Sequence, residues 1–241
     1  MNYKIIAWLN PLNLNDLPFI LISQPVSLLE KQLFSIIESN FSPADINELK
    51  NAYTNAKLAH ARTGAVREGS GVPYIHHPLS VAIFVWYLAT MVNFQNVDKK
   101  LLLLGAIYHD TIEDTEIFDT KDSGVQFSGF CRLHGEDLGK ILLYVTKIPL
   151  AIDKKYVKLR NHFKRLHLHQ FMFDFIPMES RYIKIADRIL NMADLSLTTD
   201  EFAKKTIALT EKHFYNVLLY LPEEIKTIFD LHFSRVKAFL K

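Results

Sequence analysis

Apolar residues recur at helical spacing along most of the chain and alternate at strand spacing almost nowhere. In "SLLEKQLFSIIE" the positions Leu29, Leu33, Ile36 and Ile37 share one helical face, and Ser27 with Glu30 three residues later reads as a capping box. The next stretch, "SPADINELKNAYTNAKLAH", repeats the logic: Ser42 as cap, Pro43 at the first helical position, and Ile46, Leu49, Tyr53 and Ala56 on one side. "PLSVAIFVWYLATMV", opened by Pro78, is apolar nearly all round, which predicts a buried helix. Asp98 can cap the helix that follows, "LLLLGAIYHDTIEDTE" at 101–116. Beyond it the pattern predicts a long loop at about 115–135, a helix near 137–146 and a basic helix near 154–170. "MESRYIKIADRILNMADL" is then a helix, and two amphipathic helices close the chain, the last opened by Pro222. The only strand candidate is the short run "PFILI" near the N-terminus. The pattern as a whole predicts one mainly α, all-α helical bundle, with residues 1–25 as an N-terminal extension and 26–241 as a single domain.

Glycine sharpens this picture, because all eight lie between Gly64 and Gly139, so the loops gather in the middle of the chain. A chain of 241 residues, 49% of them hydrophobic, is long enough for one substantial core. The net charge of +2 is spread along the sequence, which gives no global basic field for nucleic acid or an anionic membrane. Recognition of phosphate must therefore be local. Cys131 stands alone, so no intramolecular disulfide forms and a reducing compartment is expected. The apolar run at 5–9 is too short for a signal-peptide core or a membrane span, and the expectation is a cytoplasmic chain.

The chemistry concentrates at the wet end of the 101–116 segment. On a helix His109 aligns with Glu113, and Asp110 aligns with Glu113 and Asp114. Acids crowded at a helix C-terminus repel one another and face the negative end of the dipole, and a bound cation reverses that repulsion. A plain solvated helix end is the alternative. Two further places carry matching residue types. "PYIHHPLSV" sets His77 beside a helix-starting proline, where it can equally be an N-cap. "IKIADRILNM" puts Asp187 one turn before Asn191 on a helix whose other face is apolar, and there Asp187 can instead pair with Arg188 or Lys184. Two imidazoles and two carboxylates suit a divalent first-row metal.

"HHP", "YHDTIEDT", "VTKI" and "KIADRILNM", in this order and at these separations, resemble the HD-type hydrolase domain of RelA/SpoT homologues, which degrade the alarmones ppGpp and pppGpp. The resemblance covers about residues 50–200. It implies that His77, His109, Asp110 and Asp187 are the ligands of a Mn²⁺ ion, with Fe²⁺ and Zn²⁺ compatible with the same donors. It further implies that Glu113 and Asp114 position and activate the attacking water, and that Asn191 lines the nucleotide site. Arg67 corresponds to the family's arginine ahead of "PYI", against base or phosphates. Lys147 of "VTKI" and the basic run at 153–170 offer cations to phosphate, although Tyr156, Leu159, Phe163 and Leu166 give that run an apolar face and its charges can be merely solvated.

The implied reaction is removal of the 3′-pyrophosphate of ppGpp. A divalent ion acidifies a water and offsets charge on the phosphoryl oxygens, and Glu113 accepts the proton. Three departures from the family pattern bear on the substrate. "EGSG" changes the spacing between Arg67 and "PYI", Leu190 replaces a frequent histidine, and Asp194 stands where many members carry a small hydroxyl residue near the base. Asp194 can contact guanine's N1 and N2 donors, or mark another base, or make no base contact. Only 46 residues follow Leu195, which resembles a single-domain small alarmone hydrolase rather than a chain with a synthetase. The expected partner is a small nucleotide, with no nucleic acid and no membrane, and the oligomeric state is open. The alternatives are an HD phosphohydrolase acting on another ribose-phosphate nucleotide, and a non-catalytic nucleotide-binding module.

Overall fold

The computed structural model describes residues 15–67, 71–94, 96–146, 168 and 170–239. Among these the fold is all-α, and the only pairing of extended residues is an isolated bridge between Val66 and Pro73. The helices are α1 (Leu17–Ser23), α2 (Val26–Asn40), α3 (Pro43–Thr63), α4 (His76–Met91), α5 (Lys99–Tyr108), α6 (Thr111–Asp114), α7 (Ser123–His134) and α8 (Glu136–Val145). They are followed by α9 (Met178–Ala193), α10 (Asp200–His213), α11 (Tyr215–Leu218) and α12 (Glu223–Phe239). None of these is long and apolar enough to cross a membrane.

The central element is α4, as its all-round apolar sequence requires: Val81 to Val85 are wholly buried, and α1, α2, α5 and α9 pack around it. Helix α9 lies against α4, α5, α8 and α12, so its middle turns are enclosed. Asp98 caps α5 through Leu101 N at 2.8 Å, and Ser42 caps α3 through Asp45 N at 3.3 Å, as their positions predict.

Four local expectations give way. "PFILI" is not a strand but most of α1, with Leu17 and Leu21 one turn apart in the core, so this part of the N-terminal extension belongs to the bundle. A five-residue apolar run carries no period of its own, and Pro18 in the first turn decides for helix. Ser27 is not a cap, because the helix already begins at Val26 behind Pro25, and Glu30 instead accepts from Tyr53 and from Lys57 Nζ at 2.6 Å. Pro78 lies inside the first turn of α4, which starts at His76. The segment expected as a loop at 115–135 contains α7, nucleated by Asp122, whose carboxylate accepts from Gly124 N at 2.8 Å and Val125 N at 3.1 Å. Its glycines suggest a loop, but Gly129 is a packing residue: a Cβ there would lie 2.6 Å from the Phe118 ring. The basic helix near 154–170 falls almost wholly outside the described residues.

Candidate metal centre

Three stretches far apart in sequence converge on one buried pocket: the first turn of α4, the junction between α5 and α6, and the middle of α9. The 101–116 segment is not one helix. Helix α5 ends at Tyr108 and α6 begins at Thr111, leaving His109 and Asp110 at the break with Glu113 and Asp114 on the short helix beyond. His109 is fully buried, and its Nδ1–H donates to the Ala106 carbonyl at 2.7 Å, back onto the open end of α5. That bond leaves the lone pair on Nε2, which is buried with no hydrogen-bond partner.

The other donors face this atom. His77 Nε2 lies 3.1 Å from Asp187 Oδ1 and 3.6 Å from Asp110 Oδ2, and His109 Nε2 lies 3.2 Å from the same Asp110 oxygen. Ligand atoms of His77, His109 and Asp187 all fall within 4.8 Å of one another. Two donors held about 2.1 Å from one ion at right angles are about 3 Å apart, so these separations fit a shared cation. The orphaned Nε2 of His109 and the mixed imidazole and carboxylate set fit it as well. Two of the alternatives are not taken up: Ile75, not His77, precedes the helix in the cap position, and Arg188 turns to the Phe214 ring. Lys184 does approach Asp187, with Nζ at 3.7 Å from Oδ2, while donating to the Val145 carbonyl at 2.7 Å.

Electrostatics describe two buried acids kept ionised by the groups around them. Burial alone would raise the carboxyl of Asp110, but His109 and then His77 hold it well below the usual carboxylate range. Asp187 is lowered likewise, with His77 and Lys184 outweighing burial. Burial, with Arg67 behind it, pushes the His77 imidazole down to about 4 against the pull of Asp187 and Asp110. For His109 burial also acts downward, yet Asp110 and Asp187 win and its net shift is upward. A proton on His109 and a divalent cation are two answers to the same pair of ionised acids.

Around this centre, Asn191 Nδ2 donates to Asp187 Oδ1, and Arg67 donates from Nη2 to Asn191 Oδ1 at 2.9 Å and from Nε to Asp194 Oδ2 at 2.7 Å. Asp194 is thus placed on Arg67. Glu113 is half-buried and Asp114 exposed, one turn past Asp110. Lys147 lies outside the described residues. Three residues escaped the sequence reading of the site. Tyr74 donates to Asp110 Oδ2 at 3.1 Å and also bonds Asp114. His60 stacks on Tyr74 at 5.0 Å, and Lys184 was read only as a competitor for Asp187. Tyr74 sits inside the quoted "PYI", but nothing in the sequence says that its hydroxyl faces an acid.

Residues 74–192 match the HD domain family. The chain carries an HD domain. All four converging donors, with Glu113, Asp114 and Asn191, lie inside that span, whereas His60, Arg67 and Asp194 lie outside it. The chain is 31% identical over 163 residues to a GTP pyrophosphokinase rsh of Brucella ovis, covering 65% of this chain and 18% of that protein. It is 31% identical over 139 residues to a guanosine-3′,5′-bis(diphosphate) 3′-pyrophosphohydrolase of Homo sapiens, covering 56% of this chain and 63% of the relative. To a bifunctional (p)ppGpp synthase/hydrolase SpoT of Escherichia coli it is 30% identical over 193 residues, covering 79% of this chain and 24% of the other. The relatives thus belong to the RelA/SpoT group, and the chain spans less than two thirds of the length of each. HD domains bind divalent metals, and His77, His109 and Asp187 form a possible site for one.

Proposed function

We propose that this HD domain is a divalent-metal-dependent pyrophosphohydrolase that removes the 3′-pyrophosphate of ppGpp or pppGpp, with Mn²⁺ as the working ion. The observation that carries the reading is the buried convergence of His77, His109, Asp110 and Asp187 around the partnerless Nε2 of His109. The relatives named for this hydrolysis support the choice of substrate. Bound among these donors, the ion would supply Lewis-acid charge at the phosphoryl oxygens and lower the pKa of a water.

The chain's own residues do the rest. His109, pinned through Nδ1 to Ala106, and His77, set by the first turn of α4, present neutral nitrogens from rigid helix ends. Tyr74 holds one Asp110 oxygen in place. Glu113, one turn from Asp110 and half-buried, takes the proton of the water that adds to the phosphorus at O3′, and Asp114 orients that water. The P–O3′ bond breaks, O3′ leaves with a proton, and guanosine diphosphate or triphosphate and pyrophosphate result. Incubating purified protein with ppGpp and Mn²⁺ should yield stoichiometric GDP and pyrophosphate, and Glu113→Gln should reduce the rate about 100-fold or more. Absence of GDP from a metal-loaded sample would remove this reading. A second reading, another ribose-phosphate nucleotide as substrate, is favoured by Asp194, and a nucleotide panel with product analysis separates the two.

A further inference from the structure

Tyr74 stands between two acids with one hydrogen to give. Its hydroxyl donates to Asp110 Oδ2 at 3.1 Å and is also within hydrogen-bonding reach of Asp114. A phenol carries a single O–H, so the two carboxylates compete for it. The rest of the residue is fixed. Its N–H donates to the Ala65 carbonyl at 3.1 Å, and its own carbonyl accepts from His77 N at 3.0 Å. The buried His60 ring lies flat on the phenol at 5.0 Å, and the His77 ring stands edgewise to it at 6.3 Å. Only the hydroxyl hydrogen is left to turn. The two acids it can serve are unlike: Asp110 is buried and belongs to the candidate ligand set, whereas Asp114 is exposed.

We propose that Tyr74 is a positioning residue: its hydroxyl hydrogen passes from Asp110 to Asp114 when a cation binds, so that Asp114 is held for the attacking water only in the loaded site. This rests on the reading of the site as a metal-dependent hydrolase in which Asp114 orients that water. Without an ion, water can take the tyrosine's place at Asp114 but not at the buried Asp110, so the hydrogen stays on Asp110. There it keeps the carboxylate oxygen where the ion will meet it. With an ion on Asp110 the order reverses, because a carboxylate whose charge a cation offsets is a weaker acceptor than a free one. The hydroxyl therefore stabilises the ion-free protein more than the loaded one, which fixes the sign of the test. A tyrosine that merely buttressed Asp110 in both states would have the opposite sign.

Calorimetric titration of the chelator-treated full chain with Mn²⁺, in wild type and Tyr74→Phe, tests this without any nucleotide. The phenylalanine keeps the ring that His60 and His77 pack against and removes only the hydroxyl. Tyr74→Phe should bind Mn²⁺ about threefold tighter than wild type. With ppGpp and saturating Mn²⁺ its kcat should fall about tenfold while KM stays within about threefold, as expected for lost positioning rather than lost binding. Asp114→Asn, a change at an exposed residue, should lower kcat as well, and adding Tyr74→Phe to it should lower kcat no further, because the tyrosine acts through that acid. Unchanged or weaker Mn²⁺ binding in Tyr74→Phe, or losses of kcat that multiply in the double variant, would each overturn the proposal. Tighter Mn²⁺ binding by Tyr74→Phe in a protein that turns over no ppGpp would overturn the hydrolase reading and leave the transfer of the hydrogen standing. Turnover of ppGpp with Mn²⁺ binding weakened in Tyr74→Phe would overturn the transfer alone.

Discussion

His60 is 2% exposed, stacks on Tyr74 at 5.0 Å, and has no partner at either ring nitrogen. Burying such a group unsatisfied is unfavourable, and keeping it neutral is the less costly choice. Burial accordingly pushes its pKa down to about 4, with His109 and His77 adding to the shift and Asp110 opposing it. The native state refuses a proton that the unfolded chain accepts near pH 6.5. Stability from this source is therefore complete above that pH and is lost as pH falls towards 4, by up to about 3 kcal/mol. Urea unfolding at pH 7 and pH 5 should show a smaller loss for His60→Leu than for wild type, with the two proteins within about 1.5 kcal/mol of each other at pH 7. At this scale the sequence is a partial guide. Residue types that bind metals are visible in "HHP" and "HD", but which of two adjacent histidines turns inward is settled by packing. His76 donates from Nε2 to the Gln24 carbonyl at 2.9 Å, and only His77 reaches the acids.

Elements were legible wherever amphipathic periodicity ran long, as in α3 and α9, and were misjudged where it did not. The α5–α6 break is the instructive case. Residues 101–116 read as one helix, yet a continuous helix would point His109 and Asp110 along one spiral, whereas the break lets Asp110 approach both imidazoles. What holds that break in register is the close seating of α5 against α8 and α9. Gly105 makes the seating possible. A Cβ at this position would lie 2.7 Å from Ile141 Cγ2 and 2.8 Å from Ile183 Cδ1, both buried side chains with little freedom to move. Gly105→Ala should raise helix propensity yet destabilise the fold by about 1–3 kcal/mol through overpacking. Because the same shift displaces the end of α5, its Mn²⁺ affinity should fall more than that of a control such as Leu133→Ala on the exposed face of α7. Thermal unfolding and metal titration check the two parts separately.

On the scale of the whole molecule, the candidate ligands join parts of the chain that local pattern cannot relate. Residue 77 opens the central helix, 109 and 110 end its neighbour, and 187 lies more than a hundred residues further on from 77, in a helix touching both. The order of motifs makes this convergence readable through a family resemblance, while the residues taken singly leave Asp187 with Lys184 as a sufficient partner. The enclosing structure explains why that partner is not enough: the Lys184 ammonium, 3.7 Å from Asp187 and already donating to Val145, meets only one of the two buried carboxylates, Asp110 being left to the imidazoles. A cation that binds only the folded arrangement must stabilise it by mass action. Mn²⁺ at about a hundred times its dissociation constant should add about 2.7 kcal/mol to unfolding, which for a chain of this size is a rise of roughly 5–10 °C in Tm. Asp187→Asn should abolish the rise, because it removes a charge from the donor set. It should also leave His77 and Lys184 without their shared acid, so the metal-free variant should itself melt below metal-free wild type. A Tm for wild type that does not respond to Mn²⁺, Fe²⁺ or Zn²⁺ after chelator treatment would count against the centre as a metal site, independently of any nucleotide.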